Sequence, residues 1–148
     1  MAELKELSIY DIEEIKELFK DTFMGEPWKD DWSDATQLHS YIEDLIGNKN
    51  SLALGLVENG CLIGIALGNI KHWYSGTEYC VDEFCIGRKA QGHGMGTLFI
   101  KEIEAYLADK GIHCIFLQTE RTMSAYQFYK KNGFIELEDH VSLFKDIE

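Results

Sequence analysis

Apolar residues recur at helical spacing in four segments of the chain, and glycine or polar residues end each segment. The first helix follows Asp11, which forms with Glu14 the pair typical of a capping box. The predicted helices run from Asp11 to the Gly25-Glu26-Pro27 break, from about Ser33 to Gly47-Asn48, from the glycine-rich stretch Gln91–Gly96 to Lys110-Gly111, and over Met123–Lys131.

Segments with strand patterns separate these helices. Asn59-Gly60 lies between two long runs rich in apolar residues, which is a strong hairpin signal. The predicted strands are Leu4 to Ile9, Ser51–Glu58, Cys61–Trp73, Glu78 to Ile86, Ile112–Thr119 and Phe134–Phe144. A meander followed by a strand–helix–strand crossover predicts an α/β (mixed α+β) fold with helices on both faces of one sheet.

Composition narrows the classes of function. The chain has 148 residues without a linker or a repeat, which predicts one domain. Its 26 acidic and 14 basic residues give a net charge of −12, which argues against nucleic acid and anionic membrane surfaces as partners. Such acidity favours a cationic ligand, and the alternative is that it serves only solubility.

The sequence predicts a cytoplasmic protein. The first residues carry acids and no apolar run, and no stretch reaches the roughly 18 apolar residues of a membrane span. The four cysteines form no C-x-x-C pair and no zinc-ligand spacing, so we expect free thiols and no metal.

The stretch Gln91–Thr97 places closely spaced glycines between a strand and an amphipathic helix. Free N–H groups at a helix start form an anion site, and glycines let a diphosphate approach the backbone. A tight turn that binds nothing is the alternative. Thr97 stands where a dinucleotide fingerprint has glycine, and Gly96 is not followed by Lys-Ser or Lys-Thr as in a P-loop.

Two motifs together resemble a known family. Gln91-Gly92-His93-Gly94-Met95-Gly96 resembles the Gln/Arg-x-x-Gly-x-Gly/Ala signature of the GCN5-related N-acetyltransferases (GNAT). Residues 125–134 are similar to the family's Ala-x-x-Leu-Tyr-x-Lys-x-Gly-Phe, with Phe128 in place of Leu. The resemblance covers nearly the whole chain and implies a single N-acetyltransferase domain over residues 1–148. Its sheet would be mixed, mostly antiparallel and of six to seven strands.

The resemblance implies acetyl-CoA as co-substrate, with its pyrophosphate on the backbone of Gln91–Gly96 and its pantetheine arm along the preceding strand. Thr97 adds a hydroxyl contact or simply faces solvent. Thr122 stands where many members have Asn, and its hydroxyl is expected to cap the following helix. The implied cofactor-binding residues are Phe84, Cys85, Ile86, Gln91, Gly92, His93, Gly94, Met95, Gly96, Thr97, Thr122 and Tyr129.

Tyr129 lies at the family's general-acid position, where a neutral phenol would protonate the departing thiolate. The alternative is a core tyrosine, and Tyr126 is a weaker candidate. For the base we rank Asp82 first, because it aligns with the acid of some aminoglycoside 6'-N-acetyltransferases, and Glu83 second. Consecutive strand residues point to opposite faces, so one of the two is expected to face the site.

The segment after the first helix resembles the acceptor loop of that aminoglycoside-modifying branch. Acids beside aromatic rings suit a cationic, sugar-like or polyamine ligand. The implied substrate-binding residues are Glu26, Trp28, Asp31, Trp32 and Asp82. The alternative is that the two tryptophans only fasten the loop to the core.

The chain is therefore expected to be an acetyl-CoA-dependent N-acetyltransferase acting on a primary amine of a small cationic molecule, with antibiotic resistance as one context. A peptide or protein acceptor is the first alternative, and a non-catalytic acyl-CoA-binding sensor is the alternative of another class. A homodimer is a family-level expectation.

Overall fold

The computed structural model describes all residues from Met1 to Glu148. The chain forms two compact units, Met1–Gln118 and Thr119–Glu148. The first unit contains β1 (Glu3–Leu7), a 3-10 turn (Ile9–Asp11), α1 (Ile12–Phe23), α2 (Ala35–Ile46), β2 (Ser51–Glu58), β3 (Cys61–Trp73), β4 (Gly76–Ile86), a second 3-10 turn (Arg88–Ala90), α3 (Met95–Asp109) and β5 (Ile115–Leu117). The second unit contains α4 (Ser124–Lys131).

The sheet of the first unit has five strands in the order β1-β2-β3-β4-β5. The first four are antiparallel neighbours, and β5 runs parallel to β4 after the crossover through α3. This confirms a mixed, mostly antiparallel sheet. Asn59 and Gly60 both have positive φ, 52° and 77°, as the tight hairpin between β2 and β3 requires.

Helices cover both faces of this sheet, as the sequence predicts, because side chains alternate along each strand. On one face, α1 and α2 bury Ile15, Phe19, Leu38 and Ile42 against residues that include Ile65, Leu67 and Cys85. On the other face, α3 buries Phe99, Ile103 and Leu107 against residues that include Leu54, Leu56, Ala66 and Tyr79.

The prediction that Asp11 and Glu14 form the capping box of the first helix is wrong. The capping box lies one turn earlier, where Ser8 Oγ accepts a hydrogen bond from the Tyr10 N–H and Asp11 Oδ2 accepts one from the Ser8 N–H at 2.8 Å. Because the Asp11 carboxylate is engaged there, it makes no cap hydrogen bond with α1, and Glu14 has no reciprocal role. The second helix starts as expected, with Asp34 Oδ1 accepting from two backbone N–H groups.

In the second unit, the helix is found but two predictions fail. Met123, with extended backbone, occupies the N-cap of α4, so Thr122 lies one residue too early to cap it. Residues 134–144 form no strand, although their apolar residues alternate in part. A strand needs a partner backbone, and the ladders of the five-stranded sheet do not include these residues. The predicted sheet of six to seven strands is accordingly one of five.

None of the helices combines the length and the apolar character that a membrane crossing requires.

Candidate active site

A β-bulge in β4 lies at the two acids that the sequence selects as candidate bases. Leu67 of β3 pairs with Glu83, and the next residue, Gly68, pairs with Val81. Asp82 is therefore the extra residue of the bulge. Only glycine fits opposite it, because a Cβ on Gly68 would lie 2.2 Å from the carbonyl oxygen of Cys80.

The bulge coincides with the end of the ladder between β4 and β5. These parallel strands pair from Tyr79 with Ile115 to Val81 with Leu117, and the pairing stops one residue before the bulge. Beyond it, β4 continues to Ile86 while remaining paired with β3. The last residues of β4 thus extend past their parallel neighbour.

The glycine-rich loop follows β4 after the short 3-10 turn Arg88–Ala90. Its first side chain is anchored, since Gln91 Nε2 donates to the carbonyl oxygen of Ile86 at 2.8 Å. Gly92 and Gly94 adopt left-handed conformations with φ of 79° and 74°, and Gly94 is the N-cap of α3. Leu98 is the first residue to donate back to Gly94, at 3.0 Å. The earlier N–H groups of the helix have no intrahelical acceptor, so this helix start can bind an anion.

The other loop residues from the sequence analysis surround this helix start. His93 is exposed, and Met95, Gly96 and Thr97 are half-buried in the first turn of α3. A Cβ built on Gly92 or Gly94 would meet nothing within 4 Å. Space above the loop is therefore open, and the glycines are needed for their backbone conformation.

Glu83 is the acid with the more unusual surroundings. It is half-buried, and its Oε2 accepts a hydrogen bond from the hydroxyl of Tyr41 in α2. Burial raises the pKa of Glu83, the Tyr41 hydrogen bond opposes this, and the charges of Asp82 and Asp30 raise the pKa further. Burial, and after it the same contact with Glu83, raises the pKa of Tyr41, which remains a hydrogen-bond donor.

Asp82 is exposed, in contrast to Glu83. The bulge also breaks the alternation on which the sequence argument relied. Before the bulge, Val81 packs on the α3 side of the sheet, and after it, Cys85 packs on the α1–α2 side. In a regular strand these two residues would lie on the same face, because they are separated by an even number of positions. The rule that consecutive strand residues point to opposite faces therefore does not apply to Asp82 and Glu83.

The loop between α1 and α2 is held by aromatic contacts. Trp28 packs edge-on against Phe23 with ring centroids 5.0 Å apart, and Trp32 packs edge-on against Phe19 at 5.2 Å. Trp32 also stacks on Tyr41 at 5.2 Å. Both tryptophans thus fasten the loop to the core, and Trp32 in addition contacts Tyr41, the partner of Glu83.

The acids of this loop lie at the surface. Glu26 forms an exposed ion pair with Lys29 at 2.8 Å. Asp31 accepts a hydrogen bond from the Ser33 N–H at 3.0 Å, and hydrogen bonds from Ser33 lower the pKa of Asp31. Asp30, by contrast, acts on Glu83 through its charge.

Tyr41 is the residue that the sequence analysis missed. It lies in the apolar stripe of α2, where an aromatic residue is typical of a core position. Its hydroxyl, however, meets a carboxylate 42 residues further along the chain. A phenol at the edge of an apolar stripe is the available signal, but its partner is fixed only by the packing of α2 on β4.

An open cavity of about 370 Å³ lies beside the turn that leads into the glycine-rich loop. Arg88 of that turn forms a long ion pair with Asp21 of α1, at 3.9 Å. The cavity is lined by Glu17, Lys20, Asp21, Met24, Gly25 and Arg88. Two of these side chains, Lys20 and Arg88, are cationic, whereas the whole chain has a net charge of −12.

In the second unit, Tyr129 is buried in α4. Its ring packs edge-on against Phe134 with centroids 5.3 Å apart, and its carbonyl oxygen accepts from the Phe134 N–H at 3.0 Å. Tyr126 has a different environment, since its hydroxyl donates to Glu136 Oε1 at 2.8 Å. Thr122 is exposed in the segment before α4.

Comparison with solved structures identifies the same fold in several acetyltransferases. An aminoglycoside acetyltransferase, meta-AAC0020, from an uncultured soil metagenomic sample in complex with sisomicin has a TM-score of 0.75 at 14% identity, covering 99% of this chain and 97% of that one. The aminoglycoside N-acetyltransferase AAC(6')-Iy in complex with CoA has a TM-score of 0.73 at 16% identity, with 99% and 95% covered. A ribosomal-protein-alanine N-acetyltransferase from Brucella melitensis biovar Abortus 2308 has a TM-score of 0.74 at 17% identity, with 99% and 100% covered.

At these identities the structures establish the fold, and the family follows from the sequence itself. No match is found among curated proteins. The model of the Acetyltransferase (GNAT) family matches residues 12–134, which is most of the chain. The chain therefore belongs to the GNAT acetyltransferase family and is an acyltransferase.

Proposed function

We propose that this acyltransferase moves the acetyl group of acetyl-CoA to a primary amine of a small cationic molecule, aminoglycoside-like or polyamine. The observation that carries the proposal is the half-buried carboxylate of Glu83, next to the bulge in β4 and on the strand that leads into the anion-binding loop. A base for an amine and a site for a diphosphate thus belong to one continuous stretch of chain.

The loop and the strand before it fit acetyl-CoA. The free N–H groups at the start of α3 suit the pyrophosphate, and the open space over Gly92 and Gly94 admits it. Phe84, Cys85 and Ile86 lie beyond the ladder with β5, where the amide groups of a pantetheine arm would extend the sheet. The bound thioester supplies an activated acetyl group. The related fold of AAC(6')-Iy in complex with CoA supports this assignment.

The acids near the bulge suit an amine acceptor. Glu83 would take the proton from the nitrogen as the new carbon–nitrogen bond forms and the carbon–sulfur bond breaks. Its raised pKa makes it a better proton acceptor than an ordinary surface carboxylate, and this supports Glu83 over Asp82 as the base. Asp82 and Asp30 would attract the ammonium form by charge. On the family resemblance, Tyr129 would protonate the departing thiolate.

The preference for a cationic acceptor rests on charge. The charges of two carboxylates, Asp82 and Asp30, act on Glu83, within a chain of net charge −12. Trp32 and Tyr41 add aromatic surface beside Glu83. Aminoglycoside acetylation, and with it antibiotic resistance, is one form of this proposal.

The test is release of coenzyme A thiol from acetyl-CoA across a panel of amines: an aminoglycoside, spermidine, free amino acids, and peptides with amino-terminal or lysine amines. We expect turnover with the polycationic amines and a large loss of kcat in Glu83→Gln. The matched control is Glu104→Gln, an exposed acid on α3. Turnover with peptides alone would replace the small-molecule acceptor, and acetyl-CoA binding without any turnover would favour a sensor.

A further inference from the structure

We propose that Tyr41 is the positioning residue of Glu83: its hydroxyl holds one oxygen of the carboxylate, so that the other oxygen is directed to the acceptor amine. This inference rests on the proposed function, because it assigns Glu83 the role of base.

The contact joins two elements that are distant in sequence. Tyr41 lies on α2, Glu83 lies on β4, and the phenol donates to Oε2 of the carboxylate. Both side chains are half-buried. A carboxylate oxygen that accepts from a phenol has a fixed orientation, and charge-assisted hydrogen bonds of this kind are among the stronger ones in proteins.

The ring of Tyr41 is itself held in place. Trp32 stacks on it with centroids 5.2 Å apart and planes inclined by 17°. Phe19 of α1 contacts the same ring at 5.8 Å. The hydroxyl cannot swing away from Glu83 without breaking these contacts, so the aromatic cluster transmits the rigidity of the α1–α2 packing to the carboxylate.

The charges around Glu83 make this contact consequential. On its own strand it faces Asp82 and the thiol of Cys85, and from the loop before α2 it faces Asp30. Burial and the two carboxylates raise the pKa of Glu83, and the Tyr41 hydrogen bond lowers it. Without the hydroxyl, the pKa of Glu83 would be higher still, so that a larger fraction of its carboxyl groups would already carry a proton at a given acidic pH and could not accept one from the amine.

The experiment compares the pH dependence of kcat/KM in the unaltered protein and in Tyr41→Phe, which keeps the ring and its stacking on Trp32. We expect the acidic limb to move to higher pH by about one unit, since a hydrogen bond to a charged group has roughly that effect. At a pH on the acidic limb, kcat of Tyr41→Phe should be about tenfold lower than that of the unaltered protein, while KM for acetyl-CoA is unchanged. The matched control is Tyr74→Phe, which removes the hydroxyl of an exposed tyrosine.

A second probe keeps the hydroxyl in place. Site-specific fluorotyrosine at position 41 is a stronger donor, so the acidic limb should move to lower pH. An acidic limb that stays in place in both proteins would overturn the inference. In a Glu83→Gln background, Tyr41→Phe should cause no further change in the pH profile.

A readout independent of turnover separates the two proposals. The carboxyl carbon of Glu83 can be titrated by NMR in protein with labelled glutamate, with Glu83→Gln identifying the resonance. Absence of turnover with every amine refutes the proposed function, whereas the titration still decides whether Tyr41 controls Glu83. A titration shifted by Tyr41→Phe supports the inference, and an unshifted one refutes it.

Discussion

Gly68→Ala is the substitution that tests most directly whether the bulge holds the site together. The added Cβ would lie 2.2 Å from the carbonyl oxygen of Cys80 and 2.9 Å from the Cα of Val81, where real Cβ atoms essentially never come closer than 3.0 Å. Backbone atoms must therefore separate by about 0.8 Å at the bulge. Overpacking of this kind costs about 3 kcal/mol when backbone has to move.

Gly55→Ala is the matched comparison within the same sheet. Its Cβ would approach Leu62 Cδ1 at 2.6 Å and Leu7 Cδ1 at 3.0 Å, which are the ends of flexible side chains. We expect it to change the free energy of unfolding by no more than about 1 kcal/mol, because reduced freedom of the unfolded chain offsets part of the crowding.

Thermal unfolding followed by circular dichroism measures the difference. At about 3 °C per kcal/mol for a chain of this size, Gly68→Ala should lower Tm by about 9 °C. It should also lower kcat, because the bulge positions Asp82 and Glu83. If Gly68→Ala proved as stable and as active as Gly55→Ala, the argument that the bulge requires glycine would be refuted.

Three further predictions concern the loop, the base and the acid. Gly94→Ala should destabilise the protein by about 1 kcal/mol, since φ is 74° there, and weaken acetyl-CoA binding in calorimetry, whereas unchanged affinity would remove this loop from the site. The pKa of Glu83 is raised in the folded protein, so its ionisation lowers the stability of the fold as pH rises above the pKa of the same group in the unfolded chain. Glu83→Gln should therefore have a higher Tm than the unaltered protein at pH 8, and this difference should disappear at pH 4. Tyr129→Phe should reduce kcat about a hundredfold and Tyr126→Phe much less, because the Tyr126 hydroxyl is engaged by Glu136; equal effects in steady-state assays would contradict the assignment.

Most of the fold could be predicted from the hydrophobic periodicity and the turn residues of the sequence. The apolar faces of α1, α2 and α3 and the Asn59-Gly60 hairpin are local signals, and the structure contains each of them near its expected bounds. Residues 134–144 show where local signals fail. Their side chains have the propensity for a strand, but a strand also requires a partner, which no single stretch of sequence specifies.

The candidate site divides in the same way. The anion site at Gln91–Thr97 could be predicted from the sequence, because its glycines stand directly before a helix. The bulge at Asp82 depends on the register between β3 and β4, and Gly68 is in sequence only one more small strand residue. The contact between Tyr41 and Glu83 depends on how α2 lies over β4, so neither residue alone could predict it.

The short ladder between β4 and β5 has a consequence for hydrogen exchange. β5 pairs with one neighbour over three residues, whereas β3 is paired along both of its edges. Local opening of β5 therefore breaks few hydrogen bonds, and its amide protons should exchange with solvent long before those of β3. A ligand lying along the end of β4 would add hydrogen bonds at this margin and slow that exchange, so that occupancy of the site would be recorded in the backbone protection of the neighbouring strand.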